Sequence, residues 1–493
     1  MKAIRKHNAN QFHESFSEAA ASVYYLFIGK ATAFTSTTTT GSDSSPPTPA
    51  DAVGETEYYA WDSMLAAKNV TSSDITYAIP RRAWANGTTY DMYDDNISSS
   101  STTTSGASNL YDSTFYFMTS DYRVYKVLDN NGGTAYSGAE PTSTSTSPFE
   151  LGGYVLKYMY QVTTSEAAKY LTSDFIPVSD DSTVSAAAVD GKIESLKVTA
   201  GTGYTNGTYY AAIYGDGTSA GTSSGGIIRI TVSGNAIQSF GLTAGTDTTI
   251  HSGGAAYTFG TVNLGSGYTF SDSGLSSASG IGGSGGSIEV VISPKNGHGN
   301  SAIVELGGHY VMSATTLTQA ENDDITTSND FRQVGLVVDP TNYGTSTVAT
   351  ASTRRQTFVV KAASVSGTFE VDEKITQATT GAVGKVVEFD STNQLLYFQQ
   401  ERFGDFGTNS TTGDHSVFEG TNVITGATSS ATFTPSADSE TITLANNNTI
   451  TTVSGYVNPE LQADSGNIVY LENRKPIQRD SDQTEDIKLI IEF

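Results

Sequence analysis

Hydrophobic residues in this chain rarely recur at helical spacing. The best case lies between residues 10 and 22, where Phe12, Phe16, Ala20 and Val23 fall at i, i+4, i+8 and i+11. That spacing predicts a short amphipathic helix packed on a sheet. The run Val23-Tyr24-Tyr25-Leu26-Phe27-Ile28 follows, and its β-branched and aromatic residues predict a strand. Tyr122-Arg123-Val124-Tyr125-Lys126-Val127-Leu128 alternates apolar and polar positions before the turn Asn130-Asn131-Gly132-Gly133, again a strand signal. Residues 62–68 read as one or two helical turns. At the far end Ile487, Leu489, Ile491 and Phe493 alternate with Lys488, Ile490 and Glu492, as in a closing edge strand. Pro476 is expected to end the strand before it, because proline cannot donate to a ladder. Segments 35–49, 98–108 and 142–148 are rich in Ser, Thr and Pro and read as surface loops.

Two regions differ from the rest in pattern. From about residue 179 to 293 Gly, Ser and Thr dominate, and Val198-Thr199-Ala200-Gly201-Thr202-Gly203-Tyr204-Thr205 is echoed by Val262-Asn263-Leu264-Gly265-Ser266-Gly267-Tyr268-Thr269. Glycines there supply turns between short strands. In residues 352–455, Phe369-Glu370 returns as Phe418-Glu419. Ile375-Thr376-Gln377-Ala378-Thr379 returns as Ile424-Thr425-Gly426-Ala427-Thr428, and Ala382 as Ala431. The offset is 49 throughout (424 − 375), which indicates two copies of one β unit rather than a long solenoid. The predicted class is mainly β: several nested β-sandwich-like domains with a few short helices, plus inserted Gly/Ser/Thr-rich β modules.

Composition narrows the function. The chain has 493 residues, 26 Lys+Arg against 51 Asp+Glu, and a net charge of −25. Such a chain repels polyanions, so nucleic-acid binding by a basic surface is not expected. Without cysteine there is no disulfide framework and no thiolate zinc site. No apolar run is long enough for a membrane helix.

The search for chemistry gives little. None of the six histidines sits in a zinc-protease spacing, and His298, in Asn296-Gly297-His298-Gly299-Asn300-Ser301, reads as a turn residue. The carboxylate pairs Asp94-Asp95, Asp180-Asp181 and Asp323-Asp324 read as solvated loop charges, since adjacent acids in a strand point to opposite faces. Asp216 lies in a Gly-Asp-Gly turn that could bind calcium but has no surrounding ligand ladder. Residues 280–286 are glycine-rich but lack the Lys-Ser/Thr of a phosphate loop. No catalytic residue, metal or cofactor is expected.

The last segment reads Ile468-Val469-Tyr470-Leu471-Glu472-Asn473-Arg474-Lys475-Pro476-Ile477, then Asp482-Gln483-Thr484-Glu485-Asp486-Ile487-Lys488-Leu489. It resembles the C-terminus of the dimeric baseplate wedge subunit of T-even-type contractile-tailed phages. Four further blocks, in the same order, resemble that family: residues 78–84, 124–129, 153–158 and 330–336. The resemblance covers about 10–178, 297–344 and 466–493. It implies a base domain with residues 1–178 as its N-terminal part, 297–351 as a returning middle segment and 456–493 as its C-terminal strands. Residues 179–296 and 352–455 are then inserted β modules. It also implies a structural virion protein of the tail baseplate, assembled in the host cytoplasm. It would be a homodimer in contact with other wedge proteins, with no nucleic-acid or membrane partner. Arg81, Arg82, Arg474 and Lys475 stand out in an acid-rich chain and are candidate interface residues, because Arg suits interfaces. Intramolecular ion pairs are the equal alternative for the arginines. Trp84 reads as core. A host-surface adhesin or tail-spike polysaccharide-binding or -cleaving protein is the rival reading, suited by the Gly/Ser/Thr-rich repeats and the tyrosines.

Overall fold

The structure is a computed structural model that describes residues 2–18, 21–34, 41–50, 55–215, 224–258, 262, 281–327, 329–401, 407, 412 and 414–493. Asp216 and almost all of the second Gly-rich copy, 262–269, fall outside the described residues. With 42% strand, 11% helix and antiparallel sheets, the class is mainly β. The elements used below are, in chain order, α1 (Lys2–Glu14), β1 (Tyr24–Gly29), α2 (Glu55–Ser63), β2 (Met64–Val70), α3 (Ala302–Glu305) and β3 (Asp330–Val338). They continue with β4 (Phe358–Ser366), β5 (Lys374–Gln377), β6 (Ala382–Asp390), β7 (Leu395–Gln399), β8 (Ile424–Gly426), β9 (Thr432–Pro435), β10 (Asn467–Gln478) and β11 (Thr484–Glu492). The chain divides into two compact units. The first holds residues 1–11, 76–312 and 490–493, and the second holds 12–75 and 313–489.

In the second unit β1 lies between β2 and β3, in the sheet order Thr353–Arg355, β2, β1, β3, β10. All six residues of β1 are buried, as a near-continuous apolar run requires when both faces are covered. Phe27 pairs with Gly335, where a side chain would collide with the Phe27 ring. The helix expected at 10–22 is displaced and runs from Lys2 to Glu14. The Ser15 hydroxyl caps it by bonding the Phe12 carbonyl at 2.7 Å, and it also meets the Tyr24 hydroxyl at 2.8 Å. Phe16 leaves the helix to stack on Tyr24 at 3.9 Å. The spacing of Phe12 and Phe16 therefore reports packing on Tyr24, not shared helix. Helix α2 ends at Ser63, and Met64-Leu65-Ala66-Ala67, read as helical from sequence, is a buried strand. Pairing with β1 overrides the helix preference of those residues.

The second unit also holds a barrel. Its strand order is β7-β6-β5-β8-β9-β4, closed by β4 pairing with β7, and Tyr456–Val457 adds to β4. Two halves build it, β4-β5-β6 and β7-β8-β9. Exchanging each strand for its counterpart returns the same ring in reverse, which is a pseudo-twofold. Thr376 pairs with Thr425, its own counterpart 49 residues on (425 − 376), flanked by Ile375 opposite Gly426 and Gln377 opposite Ile424. The first strand of each half joins the last strand of the other: β4 pairs with β9 and β7 with β6. The repeated residues are core residues, since Phe369, Phe418, Ile375, Ile424, Ala382 and Ala431 are all buried in one cluster. The halves are also laced by polar contacts. The Glu373 carboxylate accepts the Thr428 and Ser429 amides at 3.0 Å each, and Gln377 bonds the Glu419 amide and the Asn422 carbonyl.

In the first unit Arg123–Asp129 pairs with Tyr154–Gln161. The five central residues of Arg123–Asp129 are buried on both faces, so the alternating pattern does not mark a solvated face. The following turn is a 3-10 turn in which the Asn130 side chain accepts the Gly133 amide. The 98–108 loop is pinned by Asp91, whose carboxylate accepts the Ser105 amide and hydroxyl and the Thr114 amide. The Gly-rich region forms short strands, such as Ser195–Thr199 with Ser287–Val291 and Gly207–Ala212 with Ser224–Ser233. Their cluster, including Ile193, Leu196, Ile228 and Ile288, is shared with Leu128 and Val155 of the preceding sheet.

Candidate functional site

Strand Ile75–Pro80 stops at its proline, and the two arginines that follow diverge. Arg81 stays exposed, with its guanidinium on the Thr172 carbonyl at 2.9 Å. Arg82 turns inward to the Tyr111 carbonyl at 2.9 Å and lies over the Tyr116 ring, 4.9 Å from its centre. The Tyr116 hydroxyl in turn donates to the Pro80 carbonyl. Both arginines thus bond main-chain oxygens. Trp84 is half-buried, edge-on to Tyr136.

By holding the Tyr111 main chain, Arg82 supports one wall of a cavity of about 460 Å³ lined by Arg5, Lys6, Tyr111, Gly307, His309 and Glu492, among others. Another wall comes from the end of α3. Ser301 caps that short helix, and Gly307 leaves it with a φ of +88°. A side chain at Gly307 would strike the Tyr111 ring, so glycine meets both the backbone and the packing requirement. His309 then lies between Tyr111, 5.8 Å away, and Tyr310, 4.8 Å away. Burial, with Arg5 adding to it, holds the His309 pKa below the usual imidazole value, so the ring is neutral at pH 7. Arg5 pairs with Glu492 at 2.9 Å, both half-exposed. Lys6 is half-buried and has no ion-pair or hydrogen-bond partner among the described residues. Arg5 and Lys6 were not singled out as site residues from the sequence, because helix was expected only from residue 10.

A second polar cluster lies in the core of the first unit. Lys126, fully buried, reaches Glu305 at 2.8 Å, His298 Nδ1 at 2.8 Å and the face of the Tyr93 ring at 3.8 Å. Glu305 also accepts the Gly299 amide at 2.7 Å. Burial, reinforced by Lys126, drives the His298 pKa well down, so His298 is a neutral acceptor that fixes the 296–300 turn. Of the carboxylate pairs, Asp95 and Asp180 are exposed, as expected of loop charges, but Asp94 is not, and these acids are tied down by hydrogen bonds. Asp94 is buried against Lys197, Asp95 accepts the Ile292 amide, and Asp180 accepts the Ile303 amide. Asp181 caps the helix Ser182–Ala187, and Asp323 holds Asn446. Short loops with free amides recruit these acids as acceptors. Among the described residues no group of three or more His, Cys, Asp or Glu is placed to hold a metal ion.

Arg474 and Lys475 occupy a different setting, in the second unit. β10 is the edge strand next to β3. Phe331 pairs with Ile477 and Gln333 with Asn473, so Arg474, Lys475 and Pro476 stand opposite Arg332 alone. The strand bulges there and does not end, contrary to the expectation from Pro476. An edge bulge leaves the missing proline donor facing solvent. Arg474 and Lys475 are exposed, with Arg474 3.4 Å from Glu472. Charges, proline and a bulge are the usual guards of a free edge. The other half of the strand, from Asn467 to Leu471, lacks them, and Val469 there is 48% exposed. β11 is likewise an edge strand, and of its apolar residues only Leu489 is fully buried. Its root is Arg479, fully buried, paired with Glu485 at 2.9 Å and bonded to the Thr326 and Gln319 carbonyls. Nothing in the sequence pattern singled out Arg479.

Residues 438–493 match the family model of bacteriophage T4 Gp8. Gp8 is a baseplate wedge protein of that phage. The match takes in the hairpin Thr441–Thr443 with Thr449–Thr451, then Tyr456–Val457, β10 and β11. It begins inside the 352–455 region and covers the C-terminal block that carried the sequence resemblance. The four earlier blocks lie outside it. Over this segment the chain is similar to a virion component of a T4-like baseplate. No curated protein matches the chain.

Proposed function

We propose that this protein is a structural, non-enzymatic component of a contractile-tail baseplate wedge, and that it holds neighbouring wedge proteins in register during assembly and contraction. The observation that carries the reading is the position of the Gp8 match. It falls on β10 and β11, two strands whose outer edges have no ladder partner among the described residues, and such edges are where sheets accept another chain. A scaffold of this kind works through complementary surfaces and needs no reactive group. The partners are a second copy of the chain and other wedge proteins. Arg81, Arg474 and Lys475, which are exposed, supply the basic contacts, whereas Arg82, turned inward onto the Tyr111 carbonyl, does not.

The test is to label the protein in intact virions and locate it by electron microscopy, with co-expression alongside the other wedge proteins. Label in the baseplate at a fixed copy number, with copurification of wedge subunits, is expected. Label on fibres or spikes, or polysaccharide cleavage by the purified chain, would overturn the proposal.

A further inference from the structure

The cavity beside α1 combines two features that do not follow from the fold's own needs. Lys6 lines it half-buried and without an anionic partner among the described residues, while Arg5 beside it is already paired with Glu492. A half-buried lysine that lines a cavity without an anionic partner can take one carboxylate, because charge-assisted hydrogen bonds are the strong ones. The wall from 303 to 308 is apolar where it meets this charge, through Ile303, Val304 and Leu306, and Val304 is 38% exposed.

We propose that this cavity is a docking site for an extended peptide segment of a partner protein, one that presents a carboxylate next to an aliphatic side chain. The carboxylate sits on Lys6, and the aliphatic side chain enters the wall formed by Ile303, Val304 and Leu306. Charge complementarity selects this occupant. Asp112 and Glu492 in the same lining oppose a run of phosphates, whereas a single carboxylate meets the single unpaired cation. A peptide is favoured over a small acid because the apolar wall stays open at Val304, 38% exposed, so that a longer chain can cover it. The tyrosine and histidine rings, held by Arg82 and Gly307, make the site preformed.

The experiment uses the full chain and a fluorescein-labelled peptide of sequence Gly-Ser-Glu-Leu-Ser-Gly, followed by anisotropy. Saturable binding is expected, weakened at least about tenfold by Lys6→Gln and by Val304→Trp, but not by Lys295→Gln, which removes the same charge from an exposed position. Replacing the peptide's Glu by Gln should cause the same loss, with no further loss on Lys6→Gln, as a directly coupled pair requires. Melting curves check that the variants fold, and Lys6→Gln stands alone should Val304→Trp not fold. The proposal fails if the peptide shows no saturable binding below about 1 mM. It also fails if Lys295→Gln weakens binding as much as Lys6→Gln. Free glutarate competing as well as the peptide would assign the site to a small acid instead.

Discussion

The Gly-rich region at 179–296 and the barrel at 358–457 both contain internal repeats in the sequence, but they make their cores differently. The barrel's buried cluster draws only on its own strands, from Val360 to Phe433. The Gly-rich strands close their cluster on Leu128 and Val155, which belong to the sheet before them. Repetition alone therefore does not show that a segment is self-sufficient. What decides is whether the repeated positions are apolar. In the barrel the recurring residues are Phe, Ile and Ala that fill the centre. In the Gly-rich copy they are mostly Gly and Thr that shape turns, so the apolar contacts must come from elsewhere.

The sharpest way to break this comparison is to damage the sheet that the Gly-rich strands lean on. Glu305→Ala strands Lys126 as a buried unpaired charge and should lower the stability of the first unit by about 3–5 kcal/mol. Hydrogen exchange should then show protection lost together at Arg123–Asp129 and Ser195–Thr199, while β4 to β9 keep theirs. The converse is Phe433→Ala in the barrel centre, expected to cost about 3–4 kcal/mol and to leave the Gly-rich strands protected. If either substitution loosens both regions equally, the cores are not separate.

A subtler difference is in pH response. His298 is held neutral with its pKa well below 6.5, so the unfolded chain binds the extra proton, and the first unit loses stability as pH falls below about 6.5. In the barrel, burial with help from Asp390 pushes Glu388 from 4.5 up to about 7. There the folded state holds the extra proton, so this contribution is present below about pH 4.5 and is lost as pH rises through about 7. Exchange protection measured between pH 4.5 and 7 should therefore rise around the 296–300 turn and fall around β6. Parallel slopes would contradict the assignment of these two groups.

The smallest effect on stability is expected at the edge bulge. Arg474→Ala and Lys475→Ala should each shift unfolding by less than about 0.5 kcal/mol. Replacing Lys475 and Pro476 together by valine removes the guard and should raise self-association in light scattering, with the melting curve nearly unchanged.

Much of this fold was legible from residue pattern. The apolar run at 23–28 is a central strand, and the 49-residue echo marks the two halves of a barrel. Period alone failed where a neighbour supplies the second cover. Lys126 sits at a polar position of an alternating run, but Glu305, distant in sequence, meets it inside the core. Met64 to Ala67 have helix-forming side chains and are strand because β1 lies beside them. Of the candidate site, Arg81, Arg82, Arg474 and Lys475 were visible as rare cations. Lys6 and His309 were not, because their significance comes from a cavity that joins residues far apart in sequence.

The chain enters the barrel at β4 and leaves it through Tyr456–Val457, and those two strands are paired side by side, Val359 with Val457 and Val360 with Tyr456. Tension applied to the flanking chain therefore meets a two-residue antiparallel clasp at the doorway. The end of β7 is held separately, where the Gln399 side chain donates to the Met64 carbonyl at 2.7 Å and Glu401 pairs with Lys30 at 3.3 Å. Pulling on the two chain ends therefore peels the clasp one hydrogen-bonded step at a time before it reaches the interlaced halves behind it.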